Sequence, residues 1–211
     1  MRKLNYFKNT GFTLVEMAIV LVIIGLILGG VLKGQELVIQ ARVKSMINDF
    51  NQVTAAYYTY FDRYHSFPGD DKTASNYTES ATSCNGDGDG TLEGTAYDST
   101  GGENACLWSH LRAAGIVNGA VTSVNLPENA VGGVTGIQDG GAFAGSLGDN
   151  GDAVICTDNV PPKLASLMDL AIDDSFSYSG VLQSQTTITT ATDSADTVYT
   201  DSTNLIVCRI L

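Results

Sequence analysis

Basic residues are scarce in this sequence. Eleven Lys and Arg stand against 23 Asp and Glu, a net charge of −12, and Arg2, Lys3 and Lys8 are three of the eleven. Without those three the charge is −15, a surface that repels nucleic acid and excludes it as a partner. Histidine is scarcer still. His65 and His110 have no Cys or second His at ligand spacing, so they read as packed or solvated rings rather than zinc ligands or catalytic bases. Ser146 lies in AGSLGD, outside any strand-GxSxG-helix context, and reads as a loop serine. With no nucleophile, base and oxyanion arrangement visible, enzymatic activity is not expected. The four cysteines form no CxxC pair, which argues against zinc or thioredoxin-like chemistry and for disulfides in an oxidising compartment.

Proline is absent before Pro68, and glycine is absent between Gly34 and Gly69. One helix can therefore run from near Phe12 to about Tyr64. Its first part, residues 12–32, reads FTLVEMAIVLVIIGLILGGVL, with Glu16 as the single charge. As a helix it spans about 31 Å, enough to cross a bilayer once. The basic leader places the N-terminus in the cytoplasm and the remainder outside. The run is too long for a secretory signal peptide, and Gly29-Gly30-Val31 is a poor cleavage site. A plain signal anchor would explain length and flanking charge, but it leaves Glu16 unexplained. A carboxylate in such a stretch costs about 2.5–3.5 kcal/mol on insertion scales and calls for a partner. Cleavage between Gly11 and Phe12 would create an ammonium about one helical turn from Glu16, on the same subunit or on a neighbour.

The segment Lys8-Asn9-Thr10-Gly11-Phe12-Thr13-Leu14-Val15-Glu16-Met17 resembles the cleavage and methylation motif of type IV prepilins and type II secretion pseudopilins. The resemblance implies that Gly11 ends a cleaved leader (residues 1–11), that Phe12 becomes an N-methylated first residue, and that Glu16 is needed for assembly. It also implies processing by a membrane aspartyl prepilin peptidase/methyltransferase and handling by an inner-membrane assembly platform. The product would be a structural subunit of a type IV pilus-like filament, with itself or related pilins and pseudopilins as partners. It would sit in the inner membrane as a single-pass protein before joining an extracellular filament or periplasmic pseudopilus. Lys33 stands where many type IV pilins carry Pro, a departure that tilts toward a pseudopilin; a minor or tip pilin is a further alternative. A reading of a different class is a membrane-anchored, calcium-dependent adhesin or binding domain that does not polymerise.

Residues 33–64 continue the helix as an amphipathic stripe of Val43, Met46, Ile47, Phe50, Val53, Tyr57, Tyr60, Phe61 and Tyr64. Residues 65–211 then form one extracytoplasmic α+β domain, with the helix packed on an antiparallel sheet, pilin-like in arrangement. HSFPGDD ends the helix, and helix-then-FPGDD resembles a broad group of prepilin-like proteins. LWSHLRAAGIV, residues 107–117, reads as a short helix with Leu107, Trp108, Leu111 and Ala114 on its packed face. Strands are expected near 153–156, 181–190, 197–199 and 205–211, a further one at Phe176-Ser177-Tyr178, and a long Gly/Asp-rich loop over 132–152.

In CNGDGDGTLE, residues 84–93, oxygen side chains recur at every second position with glycines between them. Asn85, Asp87 and Asp89 with the Thr91 carbonyl match the first part of an EF-hand loop, and calcium is the expected ion. The twelfth position is Ala96, so closure would fall to Glu93, Glu103 or water. The alternative is an acidic surface turn. Asp149-Asn150-Gly151-Asp152 lacks a third spaced acid and reads as a turn, and Asp173-Asp174 as a cap or turn closure. Four cysteines allow three pairings. Cys84 with Cys106 would tie the acidic loop to the following helix, and Cys156 with Cys208 would tie the sheet to the last strand.

Overall fold

A computed structural model describes residues 11–76, 84–97, 102–142, 147–149, 151–186, 199 and 203–211. The leader up to Thr10, Ser146, Asn150 and, of the strands expected near 181–190 and 197–199, residues 187–190 and 197–198 lie outside these residues. The chain divides into two compact units, 1–41 and 42–211. Helix α1, Leu14–Tyr64, contributes to both.

In the first unit α1 is apolar on all sides and every residue from Gly11 to Val38 is exposed. Among the described residues, α1 is the helix long and apolar enough to cross a membrane. Lys33 pairs with Glu36 at 2.6 Å just after the apolar run, the ordinary i,i+3 arrangement on a helix surface.

In the second unit the expected stripe is the core face. Val43, Met46, Phe50, Tyr57 and Tyr60 are buried, together with Ala56, while Ile47, Val53, Phe61 and Tyr64 are half-buried. Burying side chains of this size contributes about 1.5–3 kcal/mol each. Helix α2 covers Glu103–Ala113, four residues earlier than the apolar pattern indicates. Glu103 opens it, and both Ala105 and Cys106 amides close onto the Gly102 carbonyl at 3.0 Å. Gly115, at φ 69°, then ends it where LWSHLRAAGIV was expected to continue. Burial runs around much of this helix, Asn104 to Arg112, and Arg112 donates to the Ser123 and Asn125 carbonyls, each at 2.5 Å.

The sheet has four antiparallel strands in the order β1-β2-β4-β3, with β1 Thr135–Asp139, β2 Ala153–Val160, β3 Leu182–Gln185 and β4 Leu205–Ile210. The architecture is α+β and pilin-like, a long N-terminal helix followed by an antiparallel sheet. Strand β1 falls inside the stretch expected to be loop. Its TGIQD sequence is poor in strand formers, yet all five residues are buried, since pairing with β2 and cover from Ala96 outweigh propensity. Helix α3, Pro162–Ile172, was also not expected; it buries Leu164, Ala165 and Met168. Phe176-Ser177-Tyr178 is a turn rather than a strand. Asp174 accepts from the Phe176 amide (2.9 Å) and the Ser179 hydroxyl (2.7 Å) there, which fixes a turn in place of a ladder.

Two disulfides close this unit, Cys84–Cys106 and Cys156–Cys208. The second joins directly opposed residues of β2 and β4. Arg209 of β4 donates to Asn51 Oδ1 (2.9 Å) and Thr54 Oγ1 (2.8 Å) on α1 and lies over the Phe50 ring. The last strand is thereby tied to the helix stretch 42–64.

Candidate functional site

The first site is the start of α1. Gly11, Phe12 and Thr13 precede the helix in non-helical conformation, and Phe12 is 83% exposed. Thr13 is the N-cap: its amide and hydroxyl both donate to Glu16 Oε2, at 2.8 and 2.7 Å, while the Glu16 amide donates back to Thr13 Oγ1 at 3.3 Å. This is a reciprocal capping box, which satisfies helix-terminal donors that would otherwise be left unpaired. Glu16 thus has a local partner that the charge argument missed. In the uncut chain the Phe12 nitrogen is an amide, so no ammonium competes with Thr13. Both capping bonds use Oε2, and Oε1 has no partner among the described residues. Gly11 and Phe12 are both exposed.

The second site is the acidic loop, organised from outside by a residue that the loop's own spacing does not reveal. Asp70, buried after the Pro68-Gly69 break, accepts the amides of Gly88 (2.6 Å), Asp89 (3.2 Å) and Gly90 (2.9 Å). The loop curls around this carboxylate as backbone amides curl around an anion. Burial pushes the Asp70 carboxyl up, against the three amides that pull it down. Gly86 lies directly on the Asp70 backbone, where any Cβ would collide. Neighbouring Asp71, fully buried, accepts from the Tyr60 hydroxyl (3.0 Å) and the Thr73 amide (2.8 Å), fixing the turn to α1.

Within the loop, Asp87 Oδ1 accepts the Asp89 amide (3.0 Å), and Asp89 Oδ1 accepts the amide and hydroxyl of Thr91 (2.8 and 2.7 Å). The Thr91 bonds hold the Asp89 carboxyl below its ordinary range. Glu103, at the start of α2, accepts from the Asp87 amide at 3.0 Å and the Glu93 amide at 3.4 Å. Burial, together with a hydrogen bond shared with the Glu93 carboxylate, pushes the Glu103 carboxyl up to about 8. Carboxylate oxygens of Asp87, Asp89 and Glu93 lie within 4.8 Å of one another, and so do those of Asp70, Asp87 and Glu103. Asp87 joins the two groups.

Of the residues expected to bind an ion, then, Asp87, Asp89 and Glu93 converge, Glu103 meets Asp87 in the other group, and the Thr91 hydroxyl donates to Asp89 and Glu93. Asn85 is engaged elsewhere: its Oδ1 accepts the Ser75 amide (3.0 Å) and its Nδ2 donates to Ser75 Oγ (3.1 Å). The donor set is all oxygen, which suits a hard cation. The Cys84–Cys106 disulfide closes the loop onto α2, and His110 backs it, its Nδ1 accepting the Gly69 amide (3.0 Å) with Nε2 against the Cys84 carbonyl (2.5 Å). His110 is a packed histidine. Asp149 and Asp152 form a turn in which Asp152 Oδ2 accepts the Asp149 amide at 2.9 Å.

Residues 6–32 match the family described as the prokaryotic N-terminal methylation motif. The match covers the Gly11-Phe12 junction, Glu16 and the apolar run, and stops before the second unit begins. No curated protein and no solved structure matches the chain.

Proposed function

We propose that this type IV prepilin- or pseudopilin-like chain, which carries the prokaryotic N-terminal methylation motif, is a structural filament subunit. It is cut after Gly11, methylated on Phe12 and assembled through the exposed apolar stretch of α1. The motif and the apolar helix fit a single-pass inner-membrane anchor before assembly. In the proposed orientation the N-terminus is cytoplasmic and the 42–211 unit lies outside. The observation that carries the reading is Glu16, held at N3 of α1 one turn from the cleavage junction with Oε1 open to a neighbouring Phe12 ammonium. The unbroken course of α1 past Lys33 favours a pseudopilin over a pilin with a proline-bent helix.

The test separates the two duties of Glu16. Glu16→Gln keeps a side chain competent for the capping box but removes the charge, whereas Glu16→Ala removes both. Both variants should insert in the membrane and both should lose assembly. Normal filament yield from Glu16→Gln would reduce Glu16 to a helix cap. Mass spectrometry of the assembled chain should find methyl-Phe12, and a retained Met1 would return the plain anchor.

Calcium at Asp87, Asp89, Glu93 and Glu103 is part of the same proposal. The supporting observation is that carboxylate oxygens of Asp87, Asp89 and Glu93 lie within 4.8 Å of one another, a repulsion that a divalent cation would relieve at neutral pH. The chain in detergent should melt higher with calcium than with EGTA, by about 2.7 kcal/mol of stability at a hundredfold excess over Kd. Asp87→Asn with Asp89→Asn should abolish that difference. Equal melting with calcium and with EGTA in the parent chain would leave the loop an acidic turn.

A further inference from the structure

A cavity of about 10 Å³ lies inside the 42–211 unit, between α1, the acidic loop, the end of β1 and the turn before β2. That is room for one water-sized occupant. Tyr57, Asp70, Gly90, Asp139, Gly151 and Asp152 are among its walls, and no Lys, Arg or His among the described residues lines it. Two carboxylates gather the two loops that meet there. Asp70 holds the amides of Gly88, Asp89 and Gly90. Asp139, 8% exposed at the end of β1, accepts the amides of Gly141 (2.8 Å) and Gly151 (2.6 Å). A Cβ on Gly151 would stand 3.5 Å from the Gly90 carbonyl oxygen, so the two loops lie side by side.

Tyr57 closes the cavity from α1. Its ring stacks on Phe67 with centroids 5.4 Å apart and the residue is 4% exposed, yet its hydroxyl forms no hydrogen bond among the described residues. Burial pushes that hydroxyl up, and Tyr58, Asp70 and Asp139 add to the effect, so the phenol oxygen lies within electrostatic reach of both carboxylates. A buried hydroxyl without a partner is costly. Asp70 Oδ2 takes one amide and each Asp139 oxygen takes one, so both carboxylates keep acceptor capacity. A partner common to all three groups must therefore donate to two carboxylates and accept from a phenol. Water does this with the three or so hydrogen bonds that buried waters make. Calcium is the poorer fit: it takes about six to eight oxygens, and Asp70, Asp139 and Asp152 are not among the acids whose oxygens converge within 4.8 Å.

We infer that this cavity binds one water molecule, which donates to Asp70 and Asp139, accepts from Tyr57 and so joins the acidic loop to the sheet. The inference needs no ion in the acidic loop, and its measurements are made in EGTA.

Tyr57→Phe in the full chain in detergent tests it, because the substitution deletes the hydroxyl and keeps the ring. With the water in place a hydrogen bond is broken, and the melting temperature should fall by about 3 °C. A hydroxyl that truly has no partner predicts the reverse, an unchanged or higher melting temperature, and that result would overturn the inference. The same variant should speed hydrogen exchange of both the Gly90 and Gly151 amides severalfold; no change at either would overturn the joining role. As a second measurement, a high-resolution crystal structure of the full chain should show one water at hydrogen-bond distance from oxygens of Asp70, Asp139 and Tyr57. Destabilisation by Tyr57→Phe with nothing in the cavity would mean that the hydroxyl reaches a carboxylate directly, and would sink the water. A melting deficit that changes when sodium is replaced by the much larger tetramethylammonium would make the occupant a cation, and would sink it too.

Discussion

Along residues 14–38 of α1 every side chain is exposed, whereas along 42–64 Val43, Met46, Phe50, Ala56, Tyr57 and Tyr60 are buried. Both stretches are rich in apolar residues, and they differ in how those residues are spaced. The later stretch repeats them every three or four positions, so one face meets a core and the other meets water. The earlier stretch has them on all faces, so no single core could cover it; its partners are lipid or other helices. Glu16 fits the same division, since its bonds within the chain are to its own first turn. The 42–64 stretch is held by long-range contacts: Tyr60 to Asp71, and Arg209 to Asn51 and Thr54.

The sharpest way to break this comparison is to truncate one apolar residue from each stretch. Phe50→Ala should cost about 5 kcal/mol in thermal or denaturant unfolding of the full chain in detergent, the upper end for a core phenylalanine, because the Arg209 guanidinium also loses the ring beneath it. Leu21→Ala, at 66% exposure, should leave that transition unmoved. Equal losses would mean that the early stretch is also part of the folded core.

Next come the disulfides, which constrain the second unit alone. Cys156→Ser with Cys208→Ser opens a 52-residue separation and Cys84→Ser with Cys106→Ser a 22-residue one. Chain-entropy estimates give losses of about 4 and 3 kcal/mol, measured as above under non-reducing conditions. The second pair should also weaken any response to calcium, because the acidic loop is then anchored to α2 only by hydrogen bonds to Glu103 and His110.

The helix was legible in the sequence because it is a strongly periodic signal, whereas the pairing of the cysteines was one of three open there, and the structure selects Cys84–Cys106 and Cys156–Cys208. The core stripe was legible by its period too, down to Tyr60. What stayed hidden depends on contacts distant along the chain. Asp70 looks like a turn residue until the 86–90 amides arrive around it. Asn85 fits a ligand spacing until Ser75 engages its side chain. Strand β1 has little strand propensity and exists because β2 pairs with it. Helix α3 could have been found: Pro162 near its start and Leu164, Ala165 and Met168 on one face are an ordinary N-terminal signal and helical period. In the candidate site, Asp87, Asp89, Glu93 and Glu103 could be picked out by type and position, but that Asp87 is shared between one group with Asp89 and Glu93 and another with Asp70 and Glu103 follows only from the fold.

The smallest expected effect concerns His110, which joins the acidic loop to the turn after α1. The Gly69 amide can only donate, so Nδ1 is the acceptor and Nε2 carries the hydrogen toward the Cys84 carbonyl. Protonation would put a second hydrogen where the Gly69 amide points. Burial holds the imidazole below its usual 6.5, and the Cys84 carbonyl and the Asp71 charge only partly offset this. The unfolded chain therefore binds this proton at a higher pH than the folded one, so the contribution is fully present above about 6.5 and falls as pH drops through the interval below it. Glu103 slopes the other way. Its carboxyl, raised to about 8, keeps a proton that the unfolded chain releases near 4.5, and that contribution is lost as pH rises. The parent profile is the sum of both, so the informative quantity is the difference between His110→Gln and the parent. Glutamine can accept and donate in similar directions and should cost about 1 kcal/mol at pH 8. The deficit should shrink as pH falls from 7 to 5, read as melting temperature in calcium-free buffer. A deficit that grows on acidification would mean that His110 is protonated in the fold, with the Asp71 charge outweighing its burial.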